Sequence, residues 1–134
     1  MIDPQAALIY TMVMVSAADR EMTDAELETI GDIVRHLPVF RDYDLNSLPQ
    51  NARDCAEMLN QEDGFDKTIQ AVLESLPEKL HETAYALACD VAAADGRVSQ
   101  EELSLLQAIR QELSVGRLPA AAIERGARAR HMTL

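Results

Sequence analysis

The segment S-A-A-D-R-E-M-T-D-A-E-L (residues 16–27) returns 76 residues later as A-A-A-D-G-R-V-S-Q-E-E-L (residues 92–103). Over residues 17–27 and their counterparts, five of eleven positions are identical: Ala17/Ala93, Ala18/Ala94, Asp19/Asp95, Glu26/Glu102 and Leu27/Leu103. Each copy follows an alanine-rich apolar run and precedes an amphipathic one. Thr23-Asp-Ala-Glu26 and Ser99-Gln-Glu-Glu102 are both capping boxes: the hydroxyl accepts from the glutamate amide, and the glutamate carboxylate reaches back to the cap amide. Asp19 and Asp95 stand where the preceding helix must break, and Gly96 tolerates positive φ, although Arg20 holds the matching place in the first copy. Met22 and Val98 precede the caps and are placed as hydrophobic staples against Leu27 and Leu103. The repeated phrase therefore reads as a helix–turn–helix joint used twice, and the pattern predicts an internal duplication.

The rest of the chain reads as helices as well. Asp3-Pro4 caps and starts a helix to about Ala18, apolar on nearly all faces and so expected to be buried. Leu27, Ile30, Ile33, Val34 and Leu37 stripe a second helix that ends at Pro38. Residues 38–49 are irregular. Helices are expected near 49–61 and 65–76, and a long one from Leu76-Pro77 to about Ala94, with Leu80, Ala84, Leu87, Val91 and Ala94 at heptad spacing. Leu103, Leu106, Ile109 and Leu113 stripe the next, with Gly116 as its C′ residue. A last, basic helix spans about 119–131 and is expected to be interrupted at Gly126. The predicted fold is all-α: one domain, residues 1–134, a bundle of about seven helices with a core over about 5–113.

Composition agrees. The chain is 48% hydrophobic but only 4% aromatic, so its core is built from aliphatic residues and alanine, strong helix formers. No period-two apolar alternation marks a strand. The net charge of −11 argues against nucleic acid as a partner, because that binding needs cations on phosphates. The charge is uneven: residues 117–134 carry +3 (Arg117, Arg125, Arg128 and Arg130 against Glu124) and the remainder −14. The longest mostly apolar stretch, Ala6–Ala18, is too short to span a bilayer, and no basic leader opens the chain. A cytoplasmic protein with reduced thiols is expected.

Two readings of the repeated acids stand side by side. As caps, they are structural. As ligands, Asp19, Glu26, Asp95 and Glu102, with Asp24 and Glu101 on the rim, would form a shared divalent-cation site for Ca²⁺ or Mg²⁺ if the two copies pack together. One copy alone is insufficient, since Ca²⁺ takes roughly six or more oxygens and neither copy has the D-x-[DN]-x-[DN]-G loop. Asp90, inside an apolar helix, is a further functional candidate, because a buried carboxylate must pair, coordinate or shift its pKa. Other chemistry finds no motif: the five glycines are scattered, no H-E-x-x-H occurs, and no Cys–His signature accompanies Cys55 or Cys89, which lie on apolar stripes and are expected to be buried. His36, His81 and His131 are expected at the surface. The methionines of residues 10–14 are expected to fill the core.

On these two segments the sequence resembles the TerB family of tellurite-resistance proteins and the TerB-like domain, over roughly residues 5–113. The resemblance implies an all-α fold, bacterial origin, a family with no established catalytic activity, and a cytosolic or inner-membrane-associated role in stress complexes. It also directs the suspicion of metal binding to Asp19, Glu26, Asp95 and Glu102, with Arg20 a departure in the first copy. The expected function is a non-enzymatic scaffold that meets a protein partner through an acidic surface. Divalent-cation binding is the alternative and an enzyme the third. Association with a second copy or with a peripheral membrane complex stays open.

Overall fold

The computed structural model describes residues 2–18, 22–94, 96 and 98–134. Among them are seven α-helices and no strand: α1 Pro4–Ser16, α2 Asp24–His36, α3 Leu48–Leu59, α4 Gly64–Ser75, α5 His81–Ala93, α6 Gln100–Glu112 and α7 Arg117–Arg130. Short 3₁₀ turns at Pro38–Phe40 and Leu45–Ser47 organise the irregular stretch, and a third, Glu78–Leu80, precedes α5.

The helix α1 is the axis of the bundle. Asp3 caps it, its carboxylate accepting from the Ala6 amide at 2.8 Å. Every residue from Ala6 to Ser16 is buried. Its most extensive contact is with α5, followed by α3 and α4, while α7 covers the other side of α5. Alanines make this possible: Ala84, Ala88 and Ala92 of α5 are buried, and small side chains let the helix axes approach. Buried Thr11 satisfies its hydroxyl on the Ala7 carbonyl at 2.9 Å. By contrast, the buried Ser16 Oγ has no hydrogen-bond partner among the described residues.

Several boundaries differ from expectation. The helix α1 stops at Ser16 rather than Ala18, with Ala17 as its cap. The run after Pro77 begins as a 3₁₀ turn, so α5 proper starts at His81. Gly116 is not the C′ residue of α6. Ser114 takes the left-handed conformation (φ 57°), with the Ser114 amide on the Gln111 carbonyl and the Val115 amide on the Arg110 carbonyl, both 3.1 Å. That is a Schellman motif closed by the burial of Val115. Gly116 instead caps the start of α7. Gly126 does not interrupt α7, because Ala120 and Ala127 bury a face of that helix against the bundle, and such packing outweighs a local preference of about 1 kcal/mol. Gly64 is required by close approach: a Cβ there would overlap the Leu59 backbone.

Candidate functional site

Both capping boxes form. In the first, the Thr23 amide donates to Glu26 Oε1 at 2.9 Å and the Glu26 amide donates to Thr23 Oγ1 at 3.1 Å. In the second, the Ser99 amide donates to Glu102 Oε1 at 3.0 Å and the Glu102 amide to Ser99 Oγ at 3.1 Å. The Thr23 hydroxyl adds a further bond to Glu26 Oε1 at 3.1 Å. Gly96, in the second turn, has φ 77°, the left-handed conformation that favours glycine.

The other acids separate into different surroundings. Asp19 and Asp95 lie outside the described residues. Asp24 is exposed in the first turn of α2, and Glu101 is exposed in the first turn of α6, where a helix N-terminus favours negative charge. Asp90 pairs with Arg130, Oδ1 to Nη2 at 2.6 Å, with His131 Nε2 3.6 Å away. This pair ties the end of α7 to α5. The carboxylates of Glu26 and Glu102 are oriented as caps, each with Oε1 held by an amide of its own turn. Among the described residues no group of three or more His, Cys, Asp or Glu is placed to hold a metal ion. The described part of the cation set therefore fits its capping role.

Two clefts flank α6, and neither was visible in the sequence. The first, about 970 Å³, lies among the end of α1, α3 and the outer face of α6. Met22 and Leu27 of the first turn line it, and so do Gln100, Glu101, Ser104 and Leu105 of the second. Its wall is otherwise mostly apolar, with Ala52, Leu59 and Phe65, and carries one arginine, Arg53. The second, about 670 Å³, lies among α5, α6 and the end of α7. Val98 and Leu103 line it, with Arg110, Arg128 and His131 on its wall.

In the wall of the second cleft lies a polar pair that sequence spacing could not show. The Tyr85 hydroxyl donates to Glu124 Oε2 at 2.5 Å across 39 residues. Burial, then that hydrogen bond, pushes the Tyr85 hydroxyl well above its ordinary range. Burial also pushes the Cys89 thiol up to about 11 and the Cys55 thiol up to about 12. Both cysteines are buried and free, as the apolar stripes predicted. They are poor nucleophiles in this state, because the thiolate is the reactive form. His36 is exposed, whereas His81 and His131 are half-buried, His81 with Nδ1 3.0 Å from the Leu113 carbonyl at the end of α6.

A family model described as tellurite resistance protein TerB matches residues 5–125. No curated protein and no solved structure matches the chain.

Proposed function

The chain belongs to the TerB family, and on that premise we propose that it is a non-enzymatic interaction module of a bacterial stress response, acting in the cytoplasm. Its partner is a protein that presents an amphipathic helix with cationic flanks. The observation that carries this reading is the first cleft, an apolar trough of about 970 Å³ bordered by both copies of the repeated phrase. Such a trough suits a helix whose apolar face is spaced at i, i+3, i+4 and i+7. The charge chooses the partner's sign. Residues 1–116 carry −14, and the exposed acids Asp24, Glu28 and Glu101 stand at or near the rim elements. A cationic partner is steered toward such a surface and an anionic one is repelled. Among the described residues no helix is long and apolar enough to cross a membrane.

The test uses two synthetic helical peptides with the same apolar stripe, one with lysines and one with glutamates on the polar face. Fluorescence anisotropy at low salt should show saturable binding of the lysine peptide alone, weakening as salt screens the charges. Leu105→Asp, in the cleft wall, should cost about tenfold or more in affinity, and Glu101→Lys should lower the salt dependence. Equal binding of both peptides, or of neither, would sink the proposal.

A further inference from the structure

The geometry points to a second, separate site: we infer that the cleft between α5, α6 and the end of α7 binds a long-chain anionic amphiphile, a free fatty carboxylate. This inference does not rest on the peptide-binding reading, which concerns the opposite flank of α6.

The apolar half of the argument comes from exposure. Val98 (41%), Leu103 (50%) and Met132 (67%) are three of the six large hydrophobic side chains left exposed among the described residues, and all three line this one cleft. Exposed apolar side chains gathered on one concave surface mark a binding site more than scattered ones do. The small side chains Ala92, Ala93 and Ala127 line the cleft where α5 meets α7, so room remains between the helices. The volume, about 670 Å³, lies within the range of small-molecule sites.

The polar half comes from which charges are already matched. Glu124, on the wall, accepts through Oε2 from the neutral Tyr85 hydroxyl and forms no ion pair among the described residues. Asp90, beside the cleft, is taken by Arg130. The two arginines on the wall form no ion pair among the described residues. Arg128 makes no hydrogen bond or ion pair with any described residue, and Arg110 donates through Nε to the Val115 carbonyl, a neutral group. In a chain of net charge −11, this wall carries two guanidiniums, Arg110 and Arg128, against one acid, Glu124, among the described residues, beside an exposed apolar strip. A carboxylate meets the guanidinium fork in a bidentate, charge-assisted pair, and an alkyl tail covers the strip. A neutral amphiphile would satisfy only the second feature and a cationic one would be repelled by the first.

The experiment titrates the whole chain with decanoate, dodecanoate and tetradecanoate below their micelle concentrations, by displacement of a fluorescent polyene fatty acid. One saturable site per chain is expected, strengthening about fourfold for each added methylene until the cleft is full. Tetradecanol should bind about tenfold more weakly than tetradecanoate, and Arg128→Glu should abolish that preference. Leu103→Asp should weaken every member of the series, while Leu105→Asp in the other cleft should leave them unchanged. Arg128 and Leu103 are exposed, so both variants should keep the wild-type thermal midpoint. No saturable site, equal binding of alcohol and carboxylate, or indifference to both variants would overturn the inference. So would binding to phosphatidylglycerol vesicles without binding of the free carboxylate, which would assign the patch to a membrane surface instead.

Discussion

The two turns carry nearly the same words and cap their helices with nearly the same distances, yet the helices they start have different fates. After the first turn, Ile30 and Val34 of α2 are buried, and Met22 and Leu27 are half-buried against the core. After the second, only Ile109 of α6 is buried, and the staple pair Val98 and Leu103 stands exposed. A capping box satisfies orphan amides at one helix end and so dictates where a helix begins. It says nothing about what the apolar stripe will meet. The helix α6 is anchored mainly at its C-terminal end, by Ile109, the buried Leu113, and the contact of His81 with the Leu113 carbonyl. Its N-terminal half is left as a wall between two clefts. The same local chemistry thus yields a half-buried staple pair in one place and an exposed one in the other.

The largest effect that sharpens this contrast is expected from core truncation. Ile109→Ala and Ile30→Ala should each cost about 2–5 kcal/mol in urea unfolding, because both side chains are fully buried. Leu103→Ala, at the position matching Leu27, should stay within about 0.5 kcal/mol. A large loss at Leu103 would mean that the second stripe is packed after all.

The inner layer should show itself at alkaline pH. The thiols of Cys55 and Cys89 ionise at an ordinary 9.0 when unfolded, but at about 12 and about 11 in the fold. Their folded values are raised, so the stability they protect is complete below pH 9.0 and is lost as pH rises through the folded values. Between pH 9.0 and about 11 each thiol should remove about 1.4 kcal/mol per pH unit, and above that Cys55 alone should continue to about 12. Urea midpoints measured against pH in reducing buffer check this. A flat profile would show that the thiols reach solvent in the native state.

Removing the caps tests what the two turns share. Thr23→Ala and Ser99→Ala should each cost about 1 kcal/mol. Similar losses at both would confirm that the caps act locally, whatever their helices pack against. A much larger loss at one would tie that cap to tertiary structure.

The smallest expected effect is that of divalent cations on metal-stripped protein. Glu26 and Glu102 are oriented toward their caps, so Ca²⁺ and Mg²⁺ should leave the thermal midpoint unchanged. A cation at a hundred times its Kd would add about 2.7 kcal/mol. A saturable shift lost in Asp95→Asn would join the two turns into one site.

Much of the bundle was legible in the sequence, because helix starts and stops are local events. Asp3-Pro4, Thr23 with Glu26, and Ser99 with Glu102 each solve the problem of unsatisfied amides within four residues, and all three formed. The burial of α1 followed from an apolar run with no polar face. Where reading failed, the deciding interaction was not local. Leu103 sits on a correct helical stripe but is left half exposed. Gly126 looks like a break until the α7 contacts with α5 are seen. Gly116 looks like a helix stop, but Ser114 takes the left-handed position and Val115 closes the motif by burial. Asp90, an anomaly in an apolar helix, is explained by Arg130 forty residues away.

What the sequence by itself determined, then, is the set of helices and the chemistry of their ends, since hydrogen bonding and backbone sterics act over a few residues. Only the tertiary structure decided which stripes are covered, where the two clefts open, and which arginine pairs with a distant acid, Arg130 with Asp90. Those outcomes depend on pairs far apart in the chain, and burial and charge pairing are properties of such pairs rather than of any one segment.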